Sequence, residues 1–387
     1  MGNIKSIRAR EILDSRGNPT VEVEILTDRT SSIASVPSGA STGEHEALEL
    51  RDKDPARFNG MGVLKAIDNI KNVLSPALIG KNVTEQRAID ELMIGLDGTE
   101  HKTKLGANSI LPISIATLKC AAQELNLPLF QHIGKIFQNN KFTLPTPMFN
   151  LIEGAAHADN NLKVQEYMVV PITNSLFREK LRIGSEIFHL LKNSLKNMGL
   201  NSAIGDEGGF APSLASDEEA LKILSQFKGV KISLDFAGII PPEFDLERIA
   251  NIYPILSFED PAEEDDFQAW SQITARLGTQ LRIVADDLVI TNPKRLEEAI
   301  SKKAANAVVV KPNQVGTMTE TLDFAKLAKE NNWSLVVSHR SGETEDTTIS
   351  DLAVGIGAEF IKSGAPSRTD RTSKYNRLIR IEELLSR

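Results

Sequence analysis

The sequence predicts an α/β architecture in two parts, an N-terminal α+β domain over residues 1–130 and an eight-stranded barrel of ββαα(βα)6 order over residues 144–387. Three observations carry this reading. In the second part six short β-branched runs each end on an ionisable residue, and they recur roughly every 25 residues, the period of consecutive βα units. Two further strands precede them, PMFNLI and KVQEYMVV, which brings the strand number to the eight that close a barrel. The first part has another rhythm, strands and then helices, and a chain of 387 residues is too long for one ordinary core.

Taken in order, IKSIRAREIL and TVEVEILTD alternate polar and apolar residues around the turn residues DSRGNP, and SSIASV supplies a third strand. The loop PSGASTGEHEA follows; its small residues make it a candidate lid. Helical periodicity takes over in AIDNIKNVLSPALI, in a capped TEQRAIDELMIGL, and in ANSILPISIATLKCAAQEL, where Pro112 is expected at a kink or in the first turn. The stretch GKIFQNNKFTLPTP reads as the linker. Beyond it a loop with His157 separates the two leading strands, and helices are expected over 175–198 and 216–227, joined by AIGDEGGFAPS.

Composition narrows the function classes. With 41% hydrophobic and 25% charged residues the chain is of soluble globular type. Acidic groups outnumber basic ones, 52 to 44, which argues against a nucleic-acid or anionic-membrane surface. No apolar run approaches the roughly 20 residues that span a bilayer. Gly2 and Ser6 fit an N-myristoylation pattern, but the same residues read as a first strand, and the N-terminus lacks a secretory apolar core. Cys120 is the only cysteine, which excludes an intrachain disulfide and disfavours a zinc–thiolate site; a cytoplasmic location is expected.

The six runs end at Asp235, Glu259, Asp286, Lys311, His339 and Lys362, all on the rim where barrel enzymes hold their chemistry. Asp235, Glu259 and Asp286 from adjacent strands would repel one another unless protonated or neutralised by a hard cation. An oxygen-only donor set favours magnesium over zinc. Read singly, each is also a solvated residue at a loop start. Lys311, held among cations, is expected to have a lowered pKa and to serve as a base; alternatively it closes an ion pair with a rim carboxylate. In SHRSGETED, Arg340 can grip a phosphate through two parallel bonds, and Ser341 adds a hydroxyl and an amide.

The strings VPSGASTGEHEALELRD, KLGANSIL, GDEGGFAP, SFEDPAEEDDF, VADDLVITNP, VVVKPNQVGT, VSHRSGETED and IKSGAP resemble the signatures of the enolase family, in family order and over nearly the whole chain. The resemblance implies a modified TIM barrel of ββαα(βα)6 order with an N-terminal capping domain. It implies magnesium-dependent dehydration of 2-phosphoglycerate, with two magnesium ions per site and a homodimer or larger homo-oligomer. Lys311 would take the C2 proton; Glu207, with Glu166 beside it, would protonate the departing C3 hydroxyl. Asp235, Glu259 and Asp286 match the ligands of the first magnesium, and Ser41 a lid ligand of the second. Arg340 and Ser341 match the phosphate grip. His157, Gln165, His339 and Lys362 match further substrate contacts.

Two departures stand out. The segment between Asp235 and Glu259 is much shorter than the family's, leaving DLERIANIY as the crossover helix. Around His157, Glu153, Ala155 and Ala156 stand where the family more often has Asn, Gly and a polar residue. Another superfamily member would not need the phosphate grip. An impaired scaffold or binding protein of the same fold, which would be expected to have lost a base, an acid or a ligand, is the alternative reading.

Overall fold

The computed structural model describes residues 2–39 and 45–386. Its first sheet comprises β1 (Ser6–Leu13), β2 (Pro19–Leu26) and β3 (Ser31–Ser35), antiparallel and in that order. An Asx turn joins β1 to β2: Asp14 Oδ1 accepts the Arg16 and Asn18 amides at 2.9 Å, and Gly17 takes φ +76°, where a side chain would be strained. Helices α1 (Leu64–Asn69) and α2 (Ser75–Leu78) are joined by a π turn, Ile70–Leu74, just ahead of Pro76, whose missing N–H and bulky ring disturb the regular ladder. α3 (Gln86–Asp97) receives no side-chain cap, contrary to expectation; the Thr84 amide is bonded to Asn82 Oδ1 instead.

α4 (Ala107–Glu124) is buried along nearly its whole length, with Pro112 inside it rather than in its first turn. Val21, Val23 and Ile25 of β2 are fully buried, and β2 packs on α4. Next comes α5 (Leu129–Phe137), which corrects the linker reading: GKIF is helical.

The barrel begins with β4 (Thr146–Glu153), β5 (Glu166–Pro171), α6 (Phe177–Asn197) and α7 (Asp217–Leu224). Six βα units follow: β6 (Val230–Asp235), α8 (Leu246–Ile252), β7 (Ile255–Glu259), α9 (Phe267–Leu277), β8 (Arg282–Ala285), α10 (Pro293–Ser301), β9 (Ala307–Val310), α11 (Pro312–Val315) with α12 (Met318–Glu330), β10 (Ser334–Ser338), α13 (Thr348–Gly355), β11 (Phe360–Lys362) and α14 (Thr369–Leu385). The barrel closes in the order β10-β11-β4-β5-β6-β7-β8-β9, as the ββαα(βα)6 pattern requires. β5 runs antiparallel to both neighbours, and the remaining pairs are parallel. Met148, Met168, Val170, Val284, Val309 and Val336 form a buried cluster of strand residues. The shortened crossover suffices: Asp245 caps α8 by accepting the Glu247 and Arg248 amides at 3.0 and 3.1 Å, and β7 lies parallel beside β6.

The first domain docks on the barrel through buried polar contacts. Asp90 accepts the Thr319 amide and hydroxyl at 3.0 and 2.7 Å, Lys119 meets Asp346 at 2.6 Å, and α5 packs on α13. Ser38 and Gly342 exchange two backbone bonds at 2.7 and 2.9 Å, which sets the cap's loop beside the strand ends. Among the described residues no helix is long and apolar enough to cross a membrane.

Candidate active site

A cavity opens at the strand ends, beneath the cap. Lys311, Lys362, Glu166, Glu207, Asp235 and Asp286 line it, together with His157, Gln165, His339, Arg340 and Ser341. Glu259 joins them through Lys362, and Ser41 lies outside the described residues. Reversal of β5 explains how Glu166 joins a rim otherwise built from strand C-termini: it is the first residue of its strand and pairs with Asp235, the last of β6.

The cations sit among the carboxylates. Lys362 Nζ lies 2.7 Å from Glu259 Oε1 and 3.2 Å from both Asp235 Oδ2 and Glu166 Oε2. Burial presses this ammonium down, but Glu166, Glu259, Asp235 and Asp286 hold it well above its ordinary value. Lys311 forms a close ion pair with Asp286 Oδ2. Burial presses Lys311 down as well, but Asp286 with the further carboxylates leaves the group above its ordinary value. With Asp286 on its ammonium Lys311 keeps its proton, the ion-pair arrangement, and the expected fall applies to a lysine standing beside a bound divalent cation.

The carboxylates divide in the same way. Burial, then Asp235, pushes Glu259 well above the usual range, and its Oε2 is buried with no hydrogen-bond partner. Burial works upward on Asp286, but Lys311 and Lys362 hold it below. Asp260 accepts the Asp286 and Asp287 amides at 2.9 Å each, bringing carboxylate oxygens of all three within 4.8 Å of one another. Burial and then Asp287 push Asp260 well up; burial and then Asp286 raise Asp287 to about 7. Asp260, Asp286 and Asp287 thus form a compact acidic group, whereas lysines stand at Asp235, Glu259 and Asp286.

On the other wall, Glu207 Oε2 lies 3.1 Å from both His339 Nε2 and Asn150 Nδ2. His157 Nδ1 stands 3.7 Å from Glu166 and 3.8 Å from Glu207. Burial raises Glu207, but His339, His157 and Arg371 overcome it and hold the carboxyl well below its usual range. Burial, then the Glu207 charge, drives Glu166 well above. Burial brings His339 down to about 3 and also lowers His157, in both cases against the opposing pull of Glu207.

Arg340 presents its guanidinium fork to Glu46 of the cap, at 2.9 and 3.2 Å, a carboxylate standing where a planar oxyanion fits. Below it Arg371, fully buried, donates to the Arg340 and Ser341 carbonyls at 2.7 and 2.5 Å and also meets His339 Nδ1. Sequence reasoning missed Asp260, Asp287, Glu46, Asn150 and Arg371. The doublets Glu259–Asp260 and Asp286–Asp287 were the available signal for the first two; the others carried none.

A closed barrel with one reversed strand, a lysine and a glutamate pair at its mouth, and crowded carboxylates under a capping domain defines a barrel enzyme equipped for proton transfer. The chain belongs to the enolase family: residues 4–133 match the model of the enolase N-terminal domain, and residues 141–238 and 243–387 match that of the enolase C-terminal TIM barrel domain. This puts it with the lyases of the enolase superfamily. The break in the second match, 239–242, falls in the shortened crossover before α8.

Proposed function

We propose that the chain catalyses the reversible dehydration of 2-phosphoglycerate to phosphoenolpyruvate, the hydro-lyase step of glycolysis (phosphopyruvate hydratase). The observation that carries this reading is the placing of Lys311 and Glu166 four strands apart in an eight-stranded closed barrel, on opposite walls of one cavity. A base on one face and an acid on the other suit elimination of a proton and a hydroxyl from adjacent carbons.

With Asp286 drawn off it, Lys311 gives its own proton to solvent, and the neutral Nζ then takes the C2 proton while the electron pair of that bond passes into the substrate carboxylate as an enolate. The Glu166–Glu207 pair then delivers its single proton to the C3 hydroxyl, which leaves as water. Lys362 neutralises the enolate charge from a site where it already holds three carboxylates. Arg340 and Ser341 hold the phosphate, while His157, Gln165 and His339 complete the substrate contacts.

The donor chemistry fits magnesium: only oxygens are offered, and Glu259 Oε2 is buried and unbonded. Asp235, Glu259 and Asp286 would hold one ion and Ser41 part of a second, and the ions supply Lewis-acid neutralisation of the substrate's anionic groups. On the same reading the enzyme works in the cytoplasm as a homodimer or larger homo-oligomer.

The test adds 2-phosphoglycerate and follows the ultraviolet absorbance of the enol double bond, with magnesium and then with chelator. Turnover that chelator abolishes is expected. Folded protein without turnover would refute the proposal and favour a binding scaffold.

A further inference from the structure

Glu153 ends β4 fully buried, behind the cavity lining and out of contact with solvent. Its Oε2 accepts the Glu207 amide at 3.0 Å, and its Oε1 accepts the same amide at 3.2 Å and that of Gly209 at 2.5 Å. The loop is shaped around this side chain. A Cβ on Gly205 would come within 2.4 Å of Glu153 Oε2, and one on Gly209 within 3.0 Å of Oε1. The Glu153 backbone ties in both neighbouring loops, its amide to the Phe210 carbonyl at 2.9 Å and its carbonyl to Asn160 Nδ2 at 2.7 Å.

We propose that Glu153 is a positioning residue: its side chain grips the Glu207 and Gly209 amides and so fixes where the Glu207 carboxyl stands in the cavity. The inference rests on the dehydration proposed above. Two donors converging on one buried side chain leave that backbone little freedom, and a catalytic group displaced by about 1 Å loses much of its rate. The partners of Glu207 are themselves immobile: Asn150 lies on β4 and His339 directly follows β10, both buried. A shift of the 205–209 backbone would therefore break contacts that cannot follow it. Burial, then the Glu207 charge, holds the Glu153 carboxyl well above its ordinary range, so glutamine is its close mimic in size and charge.

The test compares Glu153→Gln and Glu153→Ala with the unsubstituted enzyme in steady-state turnover of 2-phosphoglycerate and in amide hydrogen exchange. Glu153→Ala should lower kcat about a hundredfold while KM stays within about threefold, because the group it misplaces acts in the chemical step. Exchange at the Glu207 and Gly209 amides should accelerate about tenfold or more. Glu153→Gln should recover at least about tenfold of the lost kcat together with amide protection. The grip is refuted if Glu153→Ala leaves both amides as protected as before, if kcat falls without that change, or if Gln and Ala are equally impaired. Absence of turnover in the unsubstituted enzyme would sink the dehydration reading alone, since the exchange measurement still decides whether Glu153 holds the loop. Should Glu153→Ala fail to fold, Glu153→Gln decides, and loss of protection there overturns the proposal.

Discussion

Asp287→Asn in metal-free protein tests the crowding of carboxylates at the barrel mouth. An unfolded aspartate releases its proton near 3.8, whereas Asp287, through burial and then the Asp286 charge, holds it to about 7. Between those values the folded chain binds a proton that the unfolded chain has lost. A raised carboxyl of this kind contributes stability that is complete below about pH 4 and drains away as pH climbs through 7. At about 1.36 kcal/mol per pKa unit, the loss from pH 5 to pH 8 is about 2.6 kcal/mol. Asp287 keeps some solvent access, and screening there reduces the figure to roughly 1–2 kcal/mol. Asparagine does not titrate, so the variant should lose that much less stability over the same interval. Removing the Asp287 charge also relieves Asp260, in the same direction. Urea unfolding followed by circular dichroism in chelator, at pH 5 and pH 8, gives both differences. Equal losses in the two proteins would refute the account of the cluster.

Other substitutions probe the remaining parts. Lys311→Ala should cut kcat by about 10²–10⁴-fold with an unchanged far-ultraviolet spectrum; undiminished turnover would remove it as the base. For Arg340→Lys, loss of the planar fork should lower kcat/KM for 2-phosphoglycerate about ten- to a hundredfold, and parity with the parent would contradict a bidentate phosphate grip. Lys362→Met strands Glu166, Asp235 and Glu259 around an apolar group and should cost about 3–5 kcal/mol at pH 8 in chelator. That cost should shrink at pH 5, where the raised Glu166 and Glu259 hold protons, and a urea midpoint unchanged at both pH values would disprove the pairing. Burial should keep His339 from taking up a proton until well below about pH 5, and an imidazole nitrogen resonance titrating near 6.5 would refute that.

Much of this architecture is legible before any coordinates. Each barrel strand is an apolar run because both faces are covered, and each ends abruptly on a charged residue because the mouth is where burial stops. That boundary is local, so Asp235, Glu259, Asp286, Lys311, His339 and Lys362 announce themselves. The direction of β5 does not, since a strand reads alike both ways and only its neighbours orient it. α5 was lost in the linker because GKIF gains its meaning from packing on α13, more than two hundred residues away. Glu46 and Arg371 escaped for a related reason: an exposed-looking charge becomes an internal partner only when another domain or helix closes over it. Which rim carboxylate pairs with Lys311 was not legible either, because Asp286 meets it only once β8 and β9 lie side by side.

The reversed β5 also decides how the mouth can move. Glu153 and Glu166 are paired across β4 and β5, so the segment between them, which carries His157, departs from and returns to neighbouring points of the sheet. A βα connection has a helix at its far end, and displacing it drags that helix along the barrel wall. This hairpin connection leads into a strand instead, and because both its ends are fastened side by side, a change in its path adds little to the loop-closure cost. Its ties run to the neighbouring loop instead: the Asp206 amide donates to the His157 carbonyl at 3.0 Å, and Asp217 accepts the Lys163 and Val164 amides at 2.8 and 2.9 Å, so His157 and Glu207 stand on two loops fastened to each other.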